Sequence, residues 1–159
     1  MRNPTLAQRS GCPINLSVEV LGDHWSLVVL RDIMFGNLRT YGDIHRNSLE
    51  GIATNILADR LKRLTDAGLL TSAPDPGHRQ RAIFSLTEQA IDLVPVMTTL
   101  GTWGAKYLNA APELAARSIK LQAGGPEMWS AFAKELRHLH LGEPRPDRSV
   151  LTELGLPPG

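Results

Sequence analysis

At 159 residues, 42% hydrophobic and 21% charged, the chain has the composition of one folded domain with room for an appendage. No apolar run approaches the ~20 residues of a membrane span. Residues 1–5 show no apolar leader, so a cytoplasmic location is expected. A single cysteine and five scattered histidines exclude an internal disulfide and give no metal or cofactor motif, and a net charge of +1 offers no overall support for nucleic-acid binding.

Residues 1–11 are polar, with Pro4 and Gly11, and read as a loose arm. Pro13 suits the first position of a helix carrying Leu16, Val20 and Leu21 up to Gly22. Asp23 can cap the next helix, in which Trp25, Val28, Val29, Ile33 and Met34 turn inward before Gly36-Asn37 ends it. Thr40-Tyr-Gly-Asp43 has the form of a capping box, with Asp43 in the usual Glu or Gln place. It opens a short helix with Tyr41, Ile44 and His45. A turn over residues 47–51 then leads into residues 52–67, closed by Gly68. There Leu57, Leu61 and Leu64 fall at i, i+4 and i+7, the apolar stripe of a helix packed on a core. The opposite face holds Thr54, Asn55, Asp59 and Lys62, flanked by Arg60 and Arg63. Such a face reads base edges and phosphates, or is simply solvated. Two short helices joined by a turn form a helix-turn-helix.

Residues 69–73 and 81–86 read as strands, with Ala82, Phe84 and Leu86 on one face. The turn-rich tip between them carries His78 and Arg79, with Arg81 at its base, so a wing follows the helix pair. Residues 39–81 hold seven Arg or Lys against five Asp or Glu, gathered on the reading helix and the wing. Thr87 can cap a long helix to Leu108, interrupted or kinked at Pro95. Its apolar stripe is too broad for its own domain to cover, which predicts a dimer partner. Beyond it, Pro112 starts a helix to Leu121, Gly124-Gly125 breaks it, and Pro126 starts another with Trp129, Phe132, Leu136 and Leu139 on one face. Residues 142–159 are rich in proline and expected to be poorly ordered at the end. Acids and bases balance six to six from residue 110 onward, so this part is no second DNA arm; it packs in a dimer or covers an effector pocket.

The expected base readers are Thr54, Asn55, Asp59 and Lys62. Arg39, Arg60 and Arg63 with His78, Arg79 and Arg81 are expected to meet phosphates, joined by Tyr41. Asp59 either accepts from a cytosine amine or holds Arg63 at i+4. Arg31 touches phosphate or forms a salt bridge with Asp32 or with Glu19 of a neighbour. Cys12 is a candidate sensor thiol or a small packed hydrophobe. Trp25, Trp103 and Trp129 line an effector pocket or fill the core.

Cys12-Pro13, Leu21-Gly-Asp-His-Trp25, Leu30-Arg31, Thr40-Tyr-Gly-Asp-Ile44, the run Gly51 to Leu64, Ala67-Gly-Leu69, Phe84-Ser-Leu-Thr-Glu88, Leu93-Val-Pro-Val96 and Trp103-Gly104 resemble the HxlR-type regulators, relatives of the MarR group. The resemblance covers residues 12–108 in family order. It implies a mainly α chain with a small β-hairpin and a winged helix-turn-helix domain over 12–108 with a long C-terminal dimerisation helix; residues 109–159, longer than the usual family tail, read as an extra C-terminal helical extension. It also implies a homodimer on double-stranded DNA regulating transcription, repression being the expected mode. Some members answer to thiol-reactive molecules at the cysteine matching Cys12, and others to small ligands. Ala53 departs from the usual capping Ser, so Thr54 is the alternative cap. The competing readings are a winged helix used for protein contacts and an enzyme with Cys12 as nucleophile; the latter lacks any motif for a base and an oxyanion site.

Overall fold

The computed structural model describes residues 9–159, so most of the arm expected at residues 1–11 lies outside the described residues. The chain forms two compact units that divide between Thr87 and Glu88.

The first unit runs α1 (Pro13–Leu21), α2 (Ser26–Gly36), α3 (Tyr41–Asn47), α4 (Thr54–Asp66), β1 (Leu70–Asp75) and β2 (His78–Leu86). Local chemistry accounts for each boundary. Asp23 Oδ1 accepts from the amides of Trp25 and Ser26 at 2.8 and 2.9 Å, taking up donors that the first turn of α2 leaves orphaned. Asn37, in the left-handed region at φ 49°, ends that helix. The Thr40 hydroxyl accepts from the Asp43 amide at 3.1 Å and donates to Asp43 Oδ2 at 2.6 Å. The expected capping box is met in half: Thr40 caps the helix, but the Asp43 carboxylate binds the Thr40 hydroxyl instead of its amide. At the start of α4, Ala53 holds the cap position with no side-chain bond and Thr54 is the first helical residue, so the alternative of a Thr54 cap does not hold. The helix ends where expected. Gly68, at φ 80°, donates to Thr65 O and Leu69 donates to Leu64 O at 2.9 Å, the paired bonds of a Schellman turn.

Val29, Leu30, Ile33 and Met34 of α2 are buried with Ile44, Ile52, the Leu57–Leu61–Leu64 stripe of α4, Leu69, Leu70 and Leu86. Each such side chain contributes roughly 1.5–3 kcal/mol by leaving water. The wing is longer than the sequence reading allowed. Its antiparallel strands pair from Leu70 with Leu86 out to Asp75 with His78, leaving only Pro76-Gly77 as the turn. Asp75 Oδ1 accepts from the Gly77 amide at 2.8 Å and closes that turn. Between the Pro74–Ala82 and Asp75–His78 pairs the register shifts, so residues 79–81 form a bulge in β2. Pro74 is tolerated because a two-stranded ribbon has only edge strands. The Phe84 amide also donates to Arg39 O at 2.7 Å, fastening the segment before α3 to the wing.

The second unit runs α5 (Glu88–Ile91), α6 (Val94–Tyr107), α7 (Pro112–Leu141) and α8 (Val150–Glu153). The single helix expected from 87 to 108 is broken at Asp92-Leu93. Pro95 has no amide for the carbonyl one turn back, and it sits instead in the first turn of α6, where the missing donor costs nothing. Part of the α6 stripe is met within the unit by α7: a Cβ on Gly101 would stand 2.6 Å from Ser118 Oγ. In α7 the backbone leaves helical geometry at Gly125, φ 61°, just ahead of Pro126. The carbonyl of Leu121 is taken up by the Trp129 indole N–H at 2.7 Å.

The tail is held by packing as far as residue 154, ahead of the end at which poor order is expected. Val150, Leu151 and Leu154 are buried with Phe132, Leu136 and Met128, and the start of α8 is held by Glu135, so residues 150–154 are docked rather than loose. Proline richness lowers the cost of ordering a segment that has apolar side chains to bury. Among the described residues no helix is long and apolar enough to cross a membrane.

Candidate nucleic-acid interface

The outward face of α4 carries Thr54, Asn55, Asp59, Lys62 and Arg63, all exposed, while the leucine stripe faces the core. Asn55, Asp59 and Lys62 follow at i, i+4 and i+7, so they form one row. Among the described residues Asn55 and Arg63 make no side-chain hydrogen bond or ion pair. Lys62 donates to Asp66 Oδ2 at 2.5 Å, one turn on, which raises its pKa above the ordinary value. The pair is solvated and breaks at little cost.

Asp59 does not hold Arg63; its Oδ2 accepts instead from Arg60 Nη1. Arg60 is turned inward, its side chain only 15% exposed, and its Nε donates to Asp23 Oδ1 at 2.8 Å. Arg39 is likewise committed within the unit: it donates to Phe84 O and to Ser85 Oγ, and burial lowers its pKa. Neither guanidinium is the solvated phosphate anchor that the sequence suggested. Tyr41 reaches α4 itself, its hydroxyl donating to Thr54 O at 3.0 Å while its ring stacks on His45. Arg31 meets Asp32 and the Glu50 carboxylate in the turn between α3 and α4, which is the internal alternative; both nitrogens reach Glu50, at 2.6 and 2.8 Å. That clamp, together with Asp23, was not singled out from sequence as supporting the helix pair.

On the wing, His78 and Arg79 are exposed, and among the described residues neither side chain has an ion-pair partner. Arg81 is held by Asp75, Nε to Oδ2 at 2.6 Å. The Gly77 amide and then Arg81 lower the Asp75 pKa. The solvated cations of the surface are therefore Arg63 and Arg79, with Lys62 half committed.

Burial raises the Asp23 carboxyl, but the Ser26 hydroxyl, the Trp25 amide and Arg60 outweigh it and bring its pKa down to about 2 from 3.8. A depressed folded-state value means stability present above the unfolded pKa near 4 and lost as pH falls toward 2, about 2 kcal/mol in all. Acid titration followed by circular dichroism should show Asp23→Asn flattening the stability loss between pH 4 and 2.

The other candidates lie elsewhere. Cys12 is exposed at the cap position of α1. Trp25, in the first unit, stands edge-on to His24 at 5.1 Å. In the second unit Trp103 is 55% exposed and tilted against Tyr107, and Trp129 is spent on the Leu121 carbonyl. A shallow cleft there is walled by Glu135, His138, Leu139, Arg145 and Arg148, and by none of the three tryptophans.

An outward polar row on the second helix of a helix-turn-helix, beside a basic hairpin, is the geometry of a winged helix. A model of HxlR-like helix-turn-helix proteins matches residues 20–112. The chain belongs to the HxlR-like helix-turn-helix family. An uncharacterized HTH-type transcriptional regulator of Mycobacterium tuberculosis is 31% identical to this HxlR-like chain over 145 residues, covering 91% of it and 78% of the relative. Among solved structures, PA1607, described as a candidate transcription factor, is 33% identical with a TM-score of 0.58, over 65% of this chain and 70% of that one. A MarR-family regulator structure from Porphyromonas gingivalis W83 is 26% identical with a TM-score of 0.55, over 64% of this chain and 97% of that one. The HxlR-like chain is thus a helix-turn-helix transcriptional regulator of MarR-like fold.

Proposed function

We propose that two copies of the chain bind a two-fold operator in duplex DNA, each inserting α4 into the major groove, and repress transcription from it. The observation that carries this is the row Asn55, Asp59 and Lys62, exposed beside two solvated cations, Arg63 on α4 and Arg79 on the wing. Thr54 and Asn55 would reach base edges first, since they open the helix. Arg63, His78 and Arg79 would set register through phosphates, as contacts of that kind carry no sequence information.

Support for a second copy comes from apolar side chains left in water. Ile14, Leu16 and Val18 are exposed on α1, as are Val96, Leu100, Trp103, Tyr107 and Leu108 at α6. Apolar rows of this length on single helices are normally covered. Residues 12–108 would form the DNA-binding and dimerising domain, and residues 109–159 an extension of it. The exposed thiol of Cys12 suits a thiol-reactive effector, and the extension is where a small-molecule effector would be sought.

Selection of bound fragments from the host genome tests the reading. A two-fold motif with half-sites about one helical turn apart, ~34–36 Å, is expected. Selection of no motif, or of one without two-fold character, overturns it. Filter-binding titrations of Arg79→Ala at several salt concentrations should show weaker binding to every duplex and a salt slope reduced by about 0.9. Asn55→Ala should instead lose preference at one base position, on the order of 1–3 kcal/mol, with the slope unchanged.

A further inference from the structure

Arg60 is the residue of the α4 surface whose placement the contact roles above leave unexplained. Its guanidinium lies between two carboxylates, donating through Nε to Asp23 Oδ1 and through Nη1 to Asp59 Oδ2. Asp23 is itself tied in place: two backbone amides and the Ser26 hydroxyl donate to it at the start of α2. A carboxylate that caps one helix therefore grips another helix and, through it, a side chain on the reading face. A planar group with several fixed donors does both at once in a set geometry; a lysine ammonium has three donors but lacks that preorganised fork.

The consequence falls on Asp59. Its side chain is 54% exposed and stands in the row between Asn55 and Lys62. An unsupported aspartate there would sample several rotamers and carry a full negative charge toward the phosphates. Paired with Arg60, its charge is offset at contact distance, while lone pairs on its oxygens stay open to solvent. An ionised carboxylate in fixed orientation is the acceptor that suits the N4 amine of cytosine.

We propose that Arg60, anchored on Asp23, is a positioning residue that fixes Asp59 to read a cytosine, and that it contacts no phosphate. This rests on the reading of α4 as the helix that enters the groove.

The test uses the full chain, selection from a randomised duplex pool, and titrations of the selected and an unrelated duplex across salt concentrations. A wild-type protein that selects no motif overturns the α4 reading and this inference with it. Given a motif, Asp59→Asn should lose cytosine preference at one position by roughly tenfold. Arg60→Gln, Arg60→Lys and Asp23→Asn should each lose preference at that same position. The double variant Asp59→Asn/Arg60→Gln should lose no more than either single one, as groups acting in series do. The salt slope of the Arg60 variants should match wild type. A slope lowered by about 0.9 in Arg60→Gln and restored in Arg60→Lys would make Arg60 a phosphate contact and overturn the proposal. So would folded Arg60 variants that keep the cytosine preference intact. Arg60→Lys keeps charge and helix propensity, so it decides the matter if Arg60→Gln or Asp23→Asn does not fold.

Discussion

Leu57→Ala should lower the stability of the winged-helix unit by about 2–5 kcal/mol, the range for emptying a fully buried leucine site. Leu57 is buried completely, and it sits at the first turns of α4, where the helix begins without a side-chain cap. An uncapped start leaves orphaned amides, so packing rather than capping must hold that end in place. A cavity there removes the support on which the exposed Thr54 and Asn55 depend. Thermal unfolding should show the midpoint falling by at least several degrees, at about 4–8 °C per kcal/mol for a unit of this size. Asn55→Ala, two residues earlier on the outer face, should shift stability by no more than about 0.5 kcal/mol. If the two variants melt alike, Leu57 does not anchor the helix start.

Features set by neighbours in sequence were readable; those set by distant partners were not. The leucine spacing of α4, the glycine that closes it and the Thr40–Asp43 cap are each decided within one or two turns of chain, and the fold contains all three. The break at Pro95 was readable as a choice between kink and interruption. The helix is interrupted just ahead of Pro95, at Asp92-Leu93, with Ala90, Ile91 and Val94 buried on either side of the gap. Arg39 and Arg60 looked like phosphate contacts because an arginine on a basic surface ordinarily is solvated. Their partners lie 45 or 46 residues away on β2 and 37 residues away at Asp23, beyond any local rule. The pairing of Lys62 with Asp66 did carry a signal, the i,i+4 spacing, which the reading of the face passed over. The wing was underestimated for a different reason. Pro74-Asp-Pro-Gly77 has the composition of a loop, yet a bulge lets β2 accommodate residues 79–81 while pairing continues to His78. That places Arg79 on a strand rather than on a free tip, so its side chain starts from a fixed backbone.

The second large effect is expected at Glu135, in the last turns of α7. Its carboxylate is buried, yet it accepts from Ser149 Oγ at 2.6 Å and from the amides of Val150 and Leu151 at 2.8 and 3.1 Å. Those two amides are orphaned donors of the first turn of α8, and a carboxylate there also meets the positive end of that short helix. A segment of four helical residues cannot hold itself together, so α8 exists because this acceptor and the apolar side chains of Val150, Leu151 and Leu154 act together. Glu135→Ala removes one partner and leaves at least two buried donors unmatched, each costing about 1–3 kcal/mol. The variant should therefore lose about 2–6 kcal/mol from the second unit. The loss should appear first as faster hydrogen exchange at the amides of Val150 and Leu151. Glu135→Gln keeps the shape and one good acceptor oxygen, and should fall between the alanine variant and wild type. Exchange at those two amides that stays as slow in Glu135→Ala as in wild type would show that apolar burial alone docks the tail. The cytosine preference proposed for Asp59 on α4 should survive Glu135→Ala at temperatures where the protein stays folded.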